Sequence, residues 1–579
     1  MNNNKLKTMK TTYLISVSLL VALFFNSCDF LEYSERSFAE KDDVFTAYNR
    51  TTAFLISAYS SLPSGFSDVG DAMLESATDN AAYAWDDTNI QNFYNGIWSP
   101  INNIDAQWSA MYTGIRRANM FLDNADDAVL EEHKWRGDAY QTMLKKWAFY
   151  RYEARFLRAF YHFELAKRYG DIPLVDIVMT LDEANNITRR PFKDVVEWIA
   201  RECSDIAPHL PESYRDNTIT PDVETGRITR GAALALKSRA LLYLASPLHN
   251  PETASDFNER WENAAKAAYE LISSDIYSNT LPTWENVFNR WRAENTELIL
   301  ERRLENSRDF EIANTSIGFT NGRSGNCPTQ NLVDAFEMLS TGKSIFDANG
   351  NYVPEYDPDN PYEDRDPRLR MTVLYHGATW GMGERQIMDM SFNGADGPPQ
   401  VGASPTGYYL RKYMRENTII APPNMNETEH CWILFRYTEV LLNFAEAMNE
   451  AYGPAGDNNG EYTLTALDAV NFVRNRPEVR MLPFPNDITK EEFREKIRNE
   501  RRVELAFEGH RMWDLRRWRQ GDMTRQIRGI SITQQDGVTT FEPVTIQNRL
   551  WDDKMYFYPI PQAEIYNTNG MLEQNNGWD

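Results

Sequence analysis

Cysteine and histidine are scarce in this chain of 579 residues, which has four of the first and seven of the second. Cys28, Cys203, Cys327 and Cys431 lie far apart, so no zinc-ligand spacing and no disulfide framework can be read from them. The three that follow Cys28 allow at most one bridge. No two histidines form His-Glu-x-x-His, which removes the zinc-protease helix. His162 sits mid-helix among Phe160, Phe163 and Leu165 and reads as a packing histidine. Positive charge is also short: 60 Lys and Arg stand against 84 Asp and Glu, a net charge of -24. Nucleic-acid binding depends on cations displacing phosphate counterions, so no nucleic-acid partner is expected. Polyanionic ligands meet the same repulsion.

Motifs for nucleotide and acyl chemistry are missing too. "STGKS" at 340–344 ends like a phosphate loop, but the required opening glycine is Glu337, a carboxylate where backbone amides should cradle phosphate. "GFSDVG" and "GASPTG" have the wrong spacing for the nucleophile elbow Gly-x-Ser-x-Gly. A pair of carboxylates acting on a glycosidic bond must lie within about 10 Å, which spacing cannot show; a surface glycoside hydrolase stays as the weaker alternative. Acidic turns such as "DPDNPYEDRD" lack the fixed Gly and terminal Glu of a calcium loop. No metal or cofactor is expected, and a structural calcium has no support in the spacing.

Long apolar runs are absent except at the start. "MNNNKLKTMK" supplies Lys5, Lys7 and Lys10 without an acid, and "TYLISVSLLVALFF" follows. A mature span needs about 20 apolar residues, so this run suits the core of a signal peptide, residues 1–27. It ends at "FFNSCDF", where small Ser27 precedes Cys28, and this resembles a bacterial lipoprotein cleavage box. Cys28 is then the acylated first residue of the mature chain. Each buried CH₂ contributes about 0.8 kcal/mol, so two or three acyl chains anchor firmly where one is marginal. Cleavage removes three lysines and no acid, taking the net charge from -24 to -27. Residues 28–43 form an acidic tether.

What the chain does have is helical periodicity, with 42% hydrophobic and 13% aromatic residues. "FTAYNRTTAFLISAYSSL" places Phe45, Tyr48, Ala53, Ile56 and Tyr59 at threes and fours. "QWSAMYTGIRRANMFLDNA" does so with Trp108, Tyr112, Ile115 and Ala118. The strongest helix, "RYEARFLRAFYHFELAKRYG", is closed by Gly170 and followed by Pro173. Residues 155–166, 236–245, 261–272 and 436–447 alternate Ala with bulky side chains, which lets helices interlock closely. This predicts a mostly α fold of tetratricopeptide-like helix pairs, although a non-repeating bundle fits the periodicity nearly as well. Residues 310–435 are dense in Gly, Pro, Asn and Asp, predicting a large irregular loop region with short strands near "GYYLRKY".

One stretch is basic: "RNERRVELAFEGHRMWDLRRW", 498–518. Its acids Glu504, Glu508 and Asp514 stand three residues from Arg501, Arg511 and Arg517, spacing that pairs opposite charges on a helix. Gly509 is expected to break that helix. The arginines therefore read as partnered within the fold.

"NERRVELAFEGHRMWDLRRW" also resembles the C-terminal signature of the SusD/RagB family. "EARFLRAFYHFELAKRYGDIPLV", "PTQNLVDAFEMLSTGKSI" and "YPIPQAEIYNTNGMLEQNNGW" resemble the family in the same order. The resemblance implies an N-terminal helical region, 44–300, with a ligand loop at about 74–100, and a C-terminal region, 301–579. The latter divides into loops at about 310–435, helices at 436–520 and a tail. It implies a surface-exposed outer-membrane lipoprotein that is no enzyme. Such a protein captures oligosaccharide for a SusC-like, TonB-dependent barrel, and RagB-like relatives take peptides instead. A sugar site needs flat rings and a few hydrogen-bonding groups. Residues 74–100 offer Asp79, Asn80, Tyr83, Trp85 and Trp98; the irregular region offers Phe319, Asn321, Arg323 and Trp380. Trp108 and Tyr112 are assigned to the core, and Trp284 and Trp291 to packing.

The cleavage box yields the first prediction. Cells grown with labelled palmitate incorporate label into the wild-type protein and none into Cys28→Ser; an unlabelled wild type would remove the anchor.

Overall fold

Tyr48, Thr51, Leu55 and Ala58 fall at three- and four-residue steps and form the buried stripe of helix α1 (Tyr48–Tyr59). The phase differs from the sequence reading, since Ile56 is 52% exposed; Thr51 is buried because its hydroxyl donates to the Ala47 carbonyl at 3.1 Å. The computed structural model describes residues 41–214, 224–277, 280–289, 295–381 and 387–578. The signal peptide, Cys28, most of the tether and Trp291 lie outside them, and residues 41–43 of the tether open a short helix, Lys41–Phe45.

Seven more helices continue the scaffold: α2 (Gln107–Asn124), α3 (Asp138–Tyr169), α4 (Phe192–Ile206), α5 (Arg230–Ala245), α6 (Phe257–Ile272), α7 (Tyr437–Tyr452) and α8 (Ala466–Arg474). Each packs on the next, α1 on α2 through α7 on α8. Small residues explain the closeness. Ala154, Ala159 and Ala166 on α3, Ala232, Ala235 and Ala240 on α5, and Ala264, Ala265 and Ala268 on α6 are all buried, so neighbouring backbones approach and large side chains interlock. Gly170 ends α3 at φ 72°, its N–H donating to the Ala166 carbonyl, as expected of a left-handed cap. Thr465 and Thr489 start α8 and α9 (Lys490–Glu504) with capping boxes to Asp468 and Glu492, satisfying otherwise orphaned amides. His162 is fully buried: one ring nitrogen faces the Arg158 carbonyl at 2.8 Å and the other accepts from the Val175 amide at 3.0 Å.

Strands are short and paired two by two, all antiparallel. β1 (Ala81–Tyr83) pairs with β3 (Asn326–Pro328), β2 (Leu298–Arg303) with β6 (Cys431–Arg436), and β4 (Val373–Leu374) with β5 (Tyr409–Leu410). β5 lies within the expected "GYYLRKY". The hairpin of β7 (Gln526–Gln535) and β8 (Val538–Asn548) was missed, although its Asp536-Gly537 turn between alternating residues is a strong hairpin signal. Cys203, Cys327 and Cys431 are all buried, and no disulfide joins them.

The basic stretch spans α9 and α10 (Arg511–Arg517), with Gly509 between them at φ 75°. Its arginines are partnered, but of the three expected pairs only Asp514–Arg517 forms, at 2.8 Å. The others reach across the fold. Glu504 is shared by Arg368, Arg436 and Arg476 at 2.9, 2.9 and 3.2 Å. Glu508 takes Arg436 at 2.6 Å and Lys412 at 2.7 Å, and Arg511 takes Asp79 at 2.8 Å. Arg501 lies 3.2 Å from Asp514. All these groups are buried. Removing one partner of such a pair costs about 3–5 kcal/mol, because the other is left buried and uncompensated. Glu337, which spoiled the phosphate loop, binds Arg474 at 2.9 Å and Lys496 at 2.8 Å.

The network sets the acid response. Burial alone would raise Glu297, but the Arg476 and Arg436 guanidiniums outweigh it and hold the carboxyl at about 2. Glu446, opposite Arg517, and Asp79, opposite Arg502 and Arg511, also lie at about 2 despite burial. Carboxyls depressed on folding contribute stability above their unfolded value and lose it as pH falls toward 2. Between pH 7 and 5 opposite effects offset. Burial raises Asp68 to about 7 and Glu75 to about 6, so protonation there favours the fold, while burial lowers His162 to about 4, His249 to about 3 and His510 well below the usual imidazole range, so protonation there opposes it. The melting temperature is therefore expected to change little from pH 7 to 5 and to fall steeply below pH 4; calorimetry showing a flat profile to pH 2.5 would contradict the network's role.

Candidate functional site

A groove of about 1040 Å³ opens between the segment after α1 and the irregular region. Pairing of β1 with β3 makes it: the Ala84 amide donates to the Gly325 carbonyl at 2.8 Å, carrying Tyr83 and Trp85 beside Arg323. The Trp85 indole N–H donates to the Arg323 carbonyl at 2.7 Å. Phe66, Phe310 and His430 line the floor, their rings meeting at centroid distances of 4.6 to 5.9 Å. Beneath them His430 Nε2 contacts the buried Glu311 carboxylate at 2.9 Å. Asp71, Glu305, Asp309 and Arg323 are exposed along the groove. Burial, with Asp71 nearby, pushes the Tyr83 hydroxyl up to about 12, so it stays a hydrogen-bond donor at neutral pH. The arrangement offers apolar ring faces with polar groups at their margin, which is how a polar ligand with apolar C–H faces is held.

Three expected residues thus come together: Tyr83, Trp85 and Arg323. Tyr83 shows only 7% of its surface and forms an edge, and Trp85 is half-buried. Asn321 and Phe319 support the wall without lining it: Asn321 Nδ2 donates to the Ile420 carbonyl at 2.9 Å, and Phe319 packs over Gly381.

Four expectations are corrected. Asp79 is 1% exposed, with both oxygens taken by Arg511 at 2.8 Å. Asn80 is fully buried between Arg502 at 2.7 Å and Glu75 at 2.7 Å. They tie the root of β1 to the arginine-rich stretch. Trp98, 5% exposed, is enclosed by Phe93, Tyr558 and Trp578 with ring centroids 4.9, 4.9 and 5.0 Å away. Trp380, also 5% exposed, borders a separate cleft of about 980 Å³ with Arg411 near its ring. Trp284 packs under Lys412, and Trp108 is core, whereas Tyr112 is only partly buried, beside a smaller apolar pocket. Phe66, Asp71, Phe310 and His430 were missed. Phe66 and Asp71 sit in the turn-rich "PSGFSDVGD", a signal that could have been read; Phe310 and His430 carry none.

Among the described residues no group of three or more His, Cys, Asp or Glu is placed to hold a metal ion, and no helix is long and apolar enough to cross a membrane. The "DPDNPYEDRD" segment is a turn in which Asp357 accepts from the Asp359 amide at 3.0 Å.

A family model described as the SusD family matches residues 296–578, and one described as starch-binding associating with outer membrane matches 29–244. A SusD-like protein of Formosa agariphila is 23% identical over 98% of this chain and 100% of its own. Among solved structures, a SusD-like protein of Bacteroides fragilis is 27% identical, with a TM-score of 0.74 over 93% of this chain and 98% of that one. A SusD-like carbohydrate-binding protein of the same species is 25% identical, with a TM-score of 0.68 over 91% and 99%.

Because Asp79 serves the fold, Asp79→Ala is expected to lower the denaturant midpoint by the equivalent of about 3–5 kcal/mol and to leave ligand affinity of the folded fraction unchanged. Lost affinity at full stability would return Asp79 to the site.

Proposed function

Since the chain belongs to the SusD family, we propose that it is a cell-surface lipoprotein, anchored through Cys28, that captures oligosaccharide and passes it to a SusC-like, TonB-dependent transporter. One observation carries the reading: Tyr83 and Trp85 meet Arg323, 238 positions beyond Trp85, in one groove, with the Trp85 ring held by a hydrogen bond. A sugar ring stacks its C–H face on the indole, while Asp71, Asp309 and Arg323 meet the hydroxyl edge. The carbohydrate-binding relative supports this ligand class, and the description of the N-terminal family supports the outer membrane. The ligand leaves uncut, since delivery to a transporter requires capture and release rather than bond cleavage.

The test uses detergent-solubilised mature protein and native gels cast with starch, xylan, mannan or curdlan. At least one polysaccharide is expected to retard the wild type, and chromatography of soluble oligosaccharides after incubation is expected to show no shortened products. Trp85→Ala weakens retardation by the equivalent of at least about 1 kcal/mol, the scale of lost stacking on an aromatic ring. Shortened products would establish a hydrolase, and binding of peptides alone would replace the ligand class.

A further inference from the structure

The Trp85 ring is held from two sides, by the Arg323 carbonyl and by the backbone at Gly402. Its N–H is fixed on the Arg323 carbonyl. That carbonyl belongs to a turn in which Asn321 and Ser324 both adopt the left-handed region, at φ 69° and 63°. The turn is pinned by Asn321 to the Ile420 carbonyl at 2.9 Å, by the Ile317 amide to Ser324 Oγ at 3.0 Å, and by Ser316 Oγ to Asp396 at 2.5 Å. The far edge of the indole rests on Gly402: a Cβ there would lie 2.8 Å from both Cζ2 and Cη2. Carbon atoms prefer about 3.5–4.0 Å. The ring therefore occupies the place of a missing side chain, and any residue other than glycine must displace it.

Resting on the binding role proposed for Trp85, we infer that Gly402 and the Asn321–Ser324 turn are positioning elements that set the plane of the Trp85 ring and so select the flat face offered to ligand. A methyl at 402 pushes the indole away from its carbonyl, turning a fixed platform into a mobile ring. Preorganisation is lost while the ring itself remains.

The experiment labels the detergent-solubilised mature protein with 5-fluorotryptophan. The Trp85 fluorine resonance is identified by its disappearance in Trp85→Phe. Gly402→Ala is expected to move or broaden that resonance and to weaken polysaccharide retardation about tenfold, a loss of stacking scale. Gly460 is the control: its φ is 85° and nothing lies within 4 Å of its would-be Cβ, so Gly460→Ala imposes similar backbone strain without touching Trp85 and leaves both readouts unchanged. In a Trp85→Ala background Gly402→Ala has no further effect on retardation. Should Gly402→Ala not fold, Asn321→Gly keeps the left-handed backbone, removes only the bond to Ile420, and is expected to shift the same resonance. An unmoved resonance overturns the inference, as does full retardation by Gly402→Ala where Trp85→Ala loses it. If no polysaccharide retards the wild type, the binding role fails, and the fluorine shift still decides whether Gly402 places the ring.

Discussion

Three guanidiniums, from Arg368, Arg436 and Arg476, converge on the buried carboxylate of Glu504, and much of the fold answers to that meeting. A buried carboxylate is tolerable only when every oxygen is engaged, so each arginine must arrive from its own element. Arg368 comes from the irregular region, Arg436 from the end of β6, and Arg476 from just beyond α8. Each guanidinium has spare donors, and these extend the web to Glu297, Glu500 and Glu508. Arginine suits such a hub because its planar fork donates to several acceptors and stays charged when buried.

The same logic reaches the groove. Arg502 and Arg511 lie on either side of the Gly509 break and hold Asp79 and Asn80 at the root of β1. β1 then pairs with β3 and delivers Tyr83 and Trp85 to the opening. The loops can be long and rich in Gly, Pro and Asn because their ends are clamped by charge rather than by regular structure. Rigidity around the groove is thus achieved without a large sheet.

What the sequence disclosed follows from how far each signal reaches. Helix periodicity, the Gly170 cap and the internal role of His162 depend on neighbours within about a turn or two, and all are found. That the arginines in 498–518 are partnered within the fold was readable from the acids interleaved with them. Of their partners only the Asp514–Arg517 pair was, because Glu504 and Glu508 took residues from other elements over those at helical spacing. Asp79 and Asn80 were mistaken for ligand contacts for the same reason: a polar pair in a loop looks available until its cations, more than 400 residues away, are seen. Trp98 shows the aromatic version, absorbed by Tyr558 and Trp578 from the tail. The β7–β8 hairpin, by contrast, was locally legible and was overlooked.

The separation of Asp79 from Arg511, 432 positions along the chain, has a bearing on the order of assembly. While a nascent polypeptide emerges amino end first, the acid at the root of β1 has no cation to meet, and the strand has no reason to settle. Only when nearly nine-tenths of the chain is present can that corner close. The groove beside β1 is accordingly among the last parts to mature, and a truncated product lacking the final helices would be left with an open, unfinished mouth.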